Sequence, residues 1–258
     1  MITKEIMSLQ HPIVKHLVKL RKNKHYRLQK QAIFIEGKKI VTEIAKQLHL
    51  KRLVILKGTS CPPDIQAQEC NVVSQAVFQK LTGTPSPEYI AAELSMPTDQ
   101  PLFNKKRLLA FEEINDPGNM GSMFRSALAL GFEGVFMTPK SVDPFHEKVI
   151  RSSKGACLLL PIQIGSLEDL NLLIQKGCFH LYAASIEGIS CETISFQLPL
   201  ILLLGNEARG LSVQSKQLGK LIRIPISSSM ESLNVGTASA ILMYKMGKNF
   251  DFRHSQDK

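Results

Sequence analysis

Short apolar runs alternate with amphipathic stretches along the chain, a pattern typical of an α/β protein. In the first hundred residues, apolar positions at helical spacing predict helices over 13–20 and 39–48, and Ser74 is a suitable N-cap for a helix reaching Leu81. Extended apolar runs predict strands at 33–37, 53–56, 71–73 and 89–92. Four prolines between residues 82 and 104 place a domain boundary near residue 100.

Beyond that boundary, helix and strand patterns alternate, which predicts a domain built on a parallel sheet. The predicted strands are 107–111, 134–137, 181–184, 200–204 and 221–224, and helices are predicted at 122–130 and 235–246. The run from Leu200 to Leu204 is almost entirely leucine and is therefore expected at the centre of the sheet. The last helix begins with small side chains, which permit close backbone approach within the chain or to a second subunit.

Composition excludes several classes of protein. A chain of 258 residues with 44% hydrophobic residues buries a substantial core, so disorder is excluded as its main state. The longest apolar run, Leu198 to Leu204, has seven residues and contains a proline, whereas a membrane-spanning helix needs about 20. No continuous apolar block typical of a signal peptide occurs near Met1, and a cytoplasmic protein is predicted.

Positive charge is concentrated at the start of the chain. Residues 1–57 contain 14 basic and 3 acidic residues, whereas the formal net charge of the whole chain is +10. Such a cluster is typical of a surface that binds the phosphate backbone of RNA. A merely solvated basic helix face and an acidic lipid surface remain alternatives. The predicted RNA-binding residues are Arg21, Lys22, Lys24, Arg27 and Arg151.

Several common kinds of site have no counterpart in the sequence. The five cysteines form no Cys-x-x-Cys pair, and the seven histidines lack metal-ligand spacing, so neither a disulfide nor a metal site is predicted. No Gly-x-Gly-x-x-Gly, Walker-type or Gly-x-Ser-x-Gly motif is present, which argues against common dinucleotide, nucleoside triphosphate and serine hydrolase sites.

Three polar loops follow predicted strands, at 115–121, 205–211 and 224–234. Ligands of open parallel sheets bind beyond the carboxyl ends of the strands, so these loops predict one polar ligand site. Arg125 is expected in the first turn of the helix after the first loop, where a cation opposes the helix dipole. That position favours a functional role for Arg125, with a salt bridge to Glu112 or Glu113 as the alternative.

In this order, the loops resemble the three motifs of the SpoU, or TrmH-like, branch of the SPOUT methyltransferases. The matching residues are Asn119-x-Gly121-x-x-x-Arg125, Leu204-Gly205-x-Glu207-x-x-Gly210-Leu211, and Ile224-Pro225 through Glu231-Ser232-Leu233-Asn234. The segment from Ser141 to Ala156 resembles another part of the family, and residues 9–37 are similar to the small RNA-binding domain of its rRNA-modifying members.

The resemblance implies a homodimeric α/β enzyme with a trefoil-knotted parallel sheet, which transfers methyl from S-adenosylmethionine to a ribose 2′-hydroxyl of RNA. It implies an RNA substrate-binding domain at 1–97, a linker at 98–106 and a methyltransferase domain at 107–258. The implied catalytic residues are Arg125, Asn119, Glu207, Ser232 and Asn234, and the implied cofactor contacts are Leu204, Gly205, Ile224, Ser232 and Leu233.

Large-subunit (23S) rRNA is the predicted substrate, because tRNA-modifying relatives often carry short terminal helices in place of a full N-terminal domain. A tRNA substrate, or a noncatalytic role in ribosome assembly, are the alternatives. Several positions depart from the family pattern: Ser228 and Ser229 replace glycine, Gly236-Thr237 replaces Ser-Val, His146 replaces asparagine and Lys245 replaces glutamate.

Overall fold

The computed structural model describes residues 2–85, 87–97 and 100–247. The chain divides into two compact units. The first unit comprises residues 1–97 together with 143–158, and the second comprises 98–142 together with 159–258. The division near residue 97 lies close to the predicted boundary, but segment 143–158 packs with the first unit although it lies within the range predicted for the second domain. Across the described ranges, no helix is long and apolar enough to cross a bilayer.

A five-stranded sheet forms the centre of the first unit, in the order β1-β4-β3-β5-β2, where β1 is Ile2–Ile6, β2 Ala32–Glu36, β3 Leu50–Leu56, β4 Ala67–Val73 and β5 Ile90–Ser95. Its helices are α1 (Pro12–Lys22), α2 (Lys24–Lys30), α3 (Lys38–Ala45) and α4 (Gln75–Thr82). Val14, Leu17 and Leu20 lie on one face of α1 and are buried in the core. The Ser74 side chain accepts a hydrogen bond from Val77 N, which confirms the predicted cap of α4.

Arg27 holds α2 and segment 143–158 to the end of α1. Its guanidinium donates to the carbonyls of Leu20 (2.7 Å) and Arg21 (3.0 Å), which are among the free carbonyls at the end of α1, and it also pairs with Asp143. The residue is only 3% exposed. Packing and hydrogen bonding thus occupy the Arg27 guanidinium in this structure, and its contact with RNA stays a prediction.

Two further ion pairs bind the same segment within the first unit. Arg21 Nη1 lies 2.9 Å from Glu147 Oε2, and Arg151 Nη2 lies 2.6 Å from Glu36 Oε1. Both arginines were predicted to contact RNA, and in this structure both guanidinium groups are occupied by carboxylates. Glu147 is the first residue of α6 (Glu147–Ser152), and Glu36 is the last residue of β2. Lys22 and Lys24, in contrast, are exposed.

Arg27→Met is expected to destabilise the protein by about 3–5 kcal/mol, because it leaves the largely buried Asp143 carboxylate without its partner. Urea unfolding followed by circular dichroism measures the loss. Lys22→Met is the matched control, since an exposed lysine contributes within about 0.5 kcal/mol. Equal stability of the two variants would contradict this structural role for Arg27.

A six-stranded parallel sheet forms the second unit, in the order β11-β9-β10-β6-β7-β8. Its strands are β6 (Arg107–Phe111), β7 (Gly134–Met137), β8 (Ile162–Ile164), β9 (His180–Ser190), β10 (Leu200–Leu204) and β11 (Lys220–Arg223). Strand β10 is fully buried and central, as its leucines predict. The helices are α5 (Pro117–Ala129), α7 (Leu167–Gly177), α8 (Val213–Gln217) and α9 (Val235–Gly247).

Helix α5 begins five residues before the predicted start. Asp116 caps it by accepting from Asn119 N at 2.7 Å, and Pro117 occupies the first turn, where its missing N–H costs nothing. Arg125 therefore lies in the third turn of α5 and not in the first. The dipole argument for its function is wrong, and any role must rest on what surrounds Arg125.

Candidate active site

The three polar loops meet at one edge of the second unit. They follow β6, β10 and β11, and these strands belong to one parallel sheet, so their carboxyl ends point the same way. This is the edge at which open α/β sheets bind ligands. The predicted grouping of the loops is thus present in the structure.

Glu207 joins the second loop to the first. Its carboxylate accepts hydrogen bonds from Asn115 N (3.3 Å), Asp116 N (3.1 Å) and the Asn119 side-chain amide (3.3 Å). An ionised carboxylate accepts several hydrogen bonds at once. These three bonds therefore hold the chain segment that leads into α5. Glu207 is exposed, so these bonds form at the surface of the site and not in its core.

Asn119 and Asn234 join the first loop to the third. Asn234 Nδ2 donates to Asn119 Oδ1 at 3.0 Å, while Asn234 Oδ1 accepts from Gly236 N (2.9 Å) and Thr237 N (3.3 Å). Asn234 therefore caps α9 with its oxygen and contacts α5 with its nitrogen, two tasks that an asparagine amide performs together. The result is a continuous hydrogen-bonded chain, Glu207–Asn119–Asn234, which we call the loop-joining chain.

Asn206 is a residue of the site that the motifs do not single out. Its Nδ2 donates to Glu113 O at 2.8 Å, and its Oδ1 accepts from Ala208 N and Arg209 N, both at 3.0 Å. An asparagine that follows a strand and bonds to the backbone two residues later is typical of an Asx turn, which is the sequence signal for this role. Asn206 thereby shapes the second loop from within.

Glu113 carries the charge of this part of the site. Its backbone has a φ of 54°, and its carboxylate pairs with Lys140, at 3.1 Å, and with Arg209. The hydrogen bond from Lys140, together with the charge of Arg209, holds the pKa of the Glu113 carboxyl below its ordinary value. Glu113 is therefore occupied by these two cations, and a bridge from Glu113 to Arg125 is not formed.

Arg125 is exposed on α5, and no other described residue forms an ion pair or hydrogen bond with it. Glu112, the other suggested partner, accepts instead from Ser212 N at 3.0 Å. Arg125 lies one helical turn beyond Ser122, whose hydroxyl faces Gly236 in α9. The guanidinium is thus exposed on α5 and available to a ligand.

The other predicted site residues lie around the same edge. Leu204 and Gly205 are buried at the end of β10, and Ile224 and Leu233 are half-buried in the third loop. Ser232 is exposed and bonds to none of the residues that the structure describes. The structure therefore joins three of the five predicted catalytic residues by hydrogen bonds, Asn119, Glu207 and Asn234, and leaves Arg125 and Ser232 outside that chain.

Gly205 and Gly210 lie close together in the second loop. A Cβ on Gly205 would stand 2.4 Å from the carbonyl carbon of Gly210, whereas one on Gly210 would meet nothing within 4 Å. Gly205→Ala is expected to lower the free energy of unfolding by about 1–3 kcal/mol and to displace the second loop. Gly210→Ala, the control, has space but a φ of +68°, so we expect about 1 kcal/mol from backbone strain alone. Urea unfolding measures both, and a Gly205→Ala variant as stable as the wild type would contradict the packing argument.

The departures from the family pattern are compatible with the local structure. His146 caps α6, since its Nδ1 accepts from Lys148 N at 3.2 Å, as an asparagine would. Lys245 Nζ lies 2.6 Å from a carboxylate oxygen of Glu192. The Ser229 hydroxyl lies 2.9 Å from that of Ser227. Over the described part of the chain, no three His, Cys, Asp or Glu side chains are grouped as a metal site would require.

Two family models match the chain. Residues 106–244 match the SpoU rRNA methylase family, and residues 11–92 match an MRM3-like substrate-binding domain. The first match includes the loop-joining chain and Arg125, and the second includes α1 to α4. The two models therefore correspond to the methyltransferase and substrate-binding parts that the motifs predict.

Similar proteins cover almost the whole chain. A 23S rRNA (guanosine(2553)-2′-O)-methyltransferase of Bacillus subtilis is 29% identical over 94% of this chain and 99% of its own. An uncharacterised tRNA/rRNA methyltransferase of Synechocystis is 33% identical over 93% of this chain and 92% of its own. The crystal structure of an AdoMet-bound rRNA methyltransferase from Sinorhizobium meliloti superposes with a TM-score of 0.83 at 26% identity, covering 95% and 97% of the two chains. The chain therefore belongs to the SpoU rRNA methylase family, and its fold is that of the SPOUT methyltransferases.

Proposed function

We propose that this protein transfers the methyl group of S-adenosylmethionine to the 2′-hydroxyl of one ribose in 23S rRNA. The observation that carries the proposal is the loop-joining chain, which holds all three family motifs at one edge of the parallel sheet. The name of the Bacillus subtilis relative, which matches this chain over nearly its full length, supports both the 2′-hydroxyl and the large-subunit RNA.

The residues at this edge fit S-adenosylmethionine. Leu204 and Gly205 form a buried floor, Gly210 leaves open space beside the second loop, and the third loop exposes backbone and serine hydroxyls. Adenine, ribose and amino-acid groups bind to such neutral donors and acceptors. We assign the contacts to Leu204, Gly205, Ile224, Ser232 and Leu233. When bound, S-adenosylmethionine supplies an electrophilic methyl group.

Arg125 is assigned to the RNA side of the reaction. A guanidinium is a poor general base because it keeps its proton in proteins, so we assign Arg125 to holding the target phosphate and orienting the ribose hydroxyl. The loop-joining chain positions α5 and thereby Arg125. Correct placement of the hydroxyl relative to the methyl donor lowers the barrier without a strong base.

We also propose a homodimer, a trefoil knot and a cytoplasmic location. Leu128 of α5 and Tyr244 of α9 are 39% and 58% exposed, and these two helices pack against each other. A second copy that covers this surface would bury both side chains. The knot is proposed from family membership, and the cytoplasm is where a ribosomal RNA substrate would be met.

The test is transfer of labelled methyl from S-adenosylmethionine to separated 23S rRNA and tRNA pools. Label in 23S rRNA supports the proposal, and label only in tRNA would keep the chemistry but change the substrate. Calorimetric titration with S-adenosylmethionine addresses the noncatalytic alternative, because an assembly factor without a cofactor would show no binding heat. Absence of both binding and label would overturn the enzymatic proposal.

A further inference from the structure

The basic surface at the start of the chain separates into two kinds of side chain. The arginines Arg21, Arg27 and Arg52 each pair with a carboxylate of the first unit. Five lysines of α1 and α2 are exposed and form no ion pair with any residue that the structure describes; they are Lys15, Lys19, Lys22, Lys24 and Lys30. The uncompensated charge of this surface is therefore carried by lysines and not by arginines.

Two of these lysines converge on one aromatic ring. Lys19 Nζ lies 5.5 Å and Lys30 Nζ 5.8 Å from the ring centroid of Tyr26, although they come from different helices. An ammonium within about 6 Å of an aromatic ring is attracted by the electrons of the ring face. The ring therefore brings together two like charges that repel each other. A lysine in the last turn of a helix also stabilises the helix dipole, but that effect does not require two ammonium groups at one ring.

A partly buried hydrogen-bond network holds the hydroxyl end of the Tyr26 ring. The Tyr26 hydroxyl lies 2.9 Å from His16 Nδ1, and His16 Nε2 lies 3.1 Å from Glu93 Oε1. Burial raises the pKa of the Glu93 carboxyl, but the hydrogen bond from His16 and the charge of Arg52 outweigh it, so the pKa lies below its ordinary value. The His16 imidazole therefore bridges the Glu93 carboxylate and the Tyr26 hydroxyl, one ring nitrogen bonding to each.

The backbone fixes the same ring. Asn23 caps α2 by accepting from Tyr26 N at 2.9 Å. The Tyr26 ring also packs against the core of the first unit. The carboxylate of this network does not neutralise the two lysines, because Glu93 is fully buried and already pairs with Arg52 and, at 3.4 Å, with Lys51. Lys19 and Lys30 are thus exposed, and none of the described carboxylates pairs with either of them.

We propose that Lys19, Lys30 and Tyr26 form a phosphate-binding site for the backbone of the substrate RNA. This inference rests on the proposed function only in naming RNA as the anion. It assigns recognition to lysines, which bind phosphate as point charges and read no base, so the site contributes affinity and register but no sequence preference.

The test measures binding of the full-length protein to 23S rRNA by filter retention across a range of NaCl concentrations. Lys19→Ala/Lys30→Ala is expected to weaken binding roughly tenfold at 0.1 M salt and to flatten the log–log salt slope by about 0.7–1.8. Lys46→Ala/Lys57→Ala removes the same charge from lysines that pair with Glu43 and Glu5, and binding should stay unchanged. The proposed site would be overturned if Lys19→Ala/Lys30→Ala kept the wild-type salt slope, or if Lys46→Ala/Lys57→Ala lost as much binding affinity.

The ring is tested by a pair of conservative variants. Tyr26→Phe keeps the ring and loses only the bond to His16, so we expect near-normal binding. Tyr26→Leu keeps apolar bulk without a ring and should flatten the slope like the lysine variant, and a Leu variant that binds like the wild type would overturn the role of the ring. Thermal unfolding confirms that both are folded. Binding is read without methyl transfer, so failure of this site and failure of the enzymatic proposal give different results.

Discussion

Arg125→Ala is expected to lower methyl transfer at saturating RNA and S-adenosylmethionine by at least about a hundredfold, the loss typical of a removed transition-state donor. The side chain is exposed and bonds to none of the described residues, so its removal should leave the free energy of unfolding within about 0.5 kcal/mol of the wild type. Turnover is measured as labelled methyl per protein, and S-adenosylmethionine binding by calorimetry should be retained.

Two variants control this experiment. Arg125→Lys keeps the charge but loses the planar pair of donors, so we expect an activity between those of Ala and the wild type. Lys216→Ala removes a cation of the same unit that pairs at the surface with Glu187, and normal turnover is expected there. Unchanged turnover in Arg125→Ala would remove Arg125 from the reaction altogether.

Glu207→Ala is expected to reduce kcat/KM by about ten- to a hundredfold, because misplacement of a reacting group by about 1 Å has effects of this size. The substitution removes the acceptor of Asn115 N, Asp116 N and the Asn119 amide. Since Glu207 is exposed, water replaces these bonds, and the free energy of unfolding should fall by less than about 1 kcal/mol.

A double-mutant cycle with Asn119→Ala separates the loop-joining chain from independent contributions. If Glu207 and Asn119 act together, the double variant loses little more activity than either single variant. Glu187→Ala, a surface carboxylate bonded to Lys216, is the matched control and should retain full activity. Additive losses in the cycle would show that the two residues act separately.

The strands and loops could be predicted because their patterns are local. Leucines at 200–204 indicate a central parallel strand, and polar loops after strands of one parallel sheet must meet at one edge. The start of α5 was misplaced because Pro117 and Gly118 resemble a loop, whereas the Asp116 cap and proline in the first turn begin a helix. The Asp116 cap and the proline in the first turn therefore start a helix although proline and glycine are typical of loops.

The functions of the arginines could not be predicted from charge counts. Arg21, Arg27 and Arg151 belong to the basic part of the sequence or to a family motif, yet each meets a carboxylate distant in sequence. A count of charges contains no information about such pairing. Lys22 and Lys24 are exposed, and their contact with RNA stays a prediction.

The most direct test of the central claim locates the methyl group on the RNA. After reaction with the wild type, 23S rRNA is hydrolysed in alkali, which cleaves every linkage that follows a free 2′-hydroxyl. We expect one linkage that resists cleavage, carries the label and is absent after reaction with Arg125→Ala. Label released by alkali in a mononucleotide, as a methylated base would be, would contradict 2′-O-methylation.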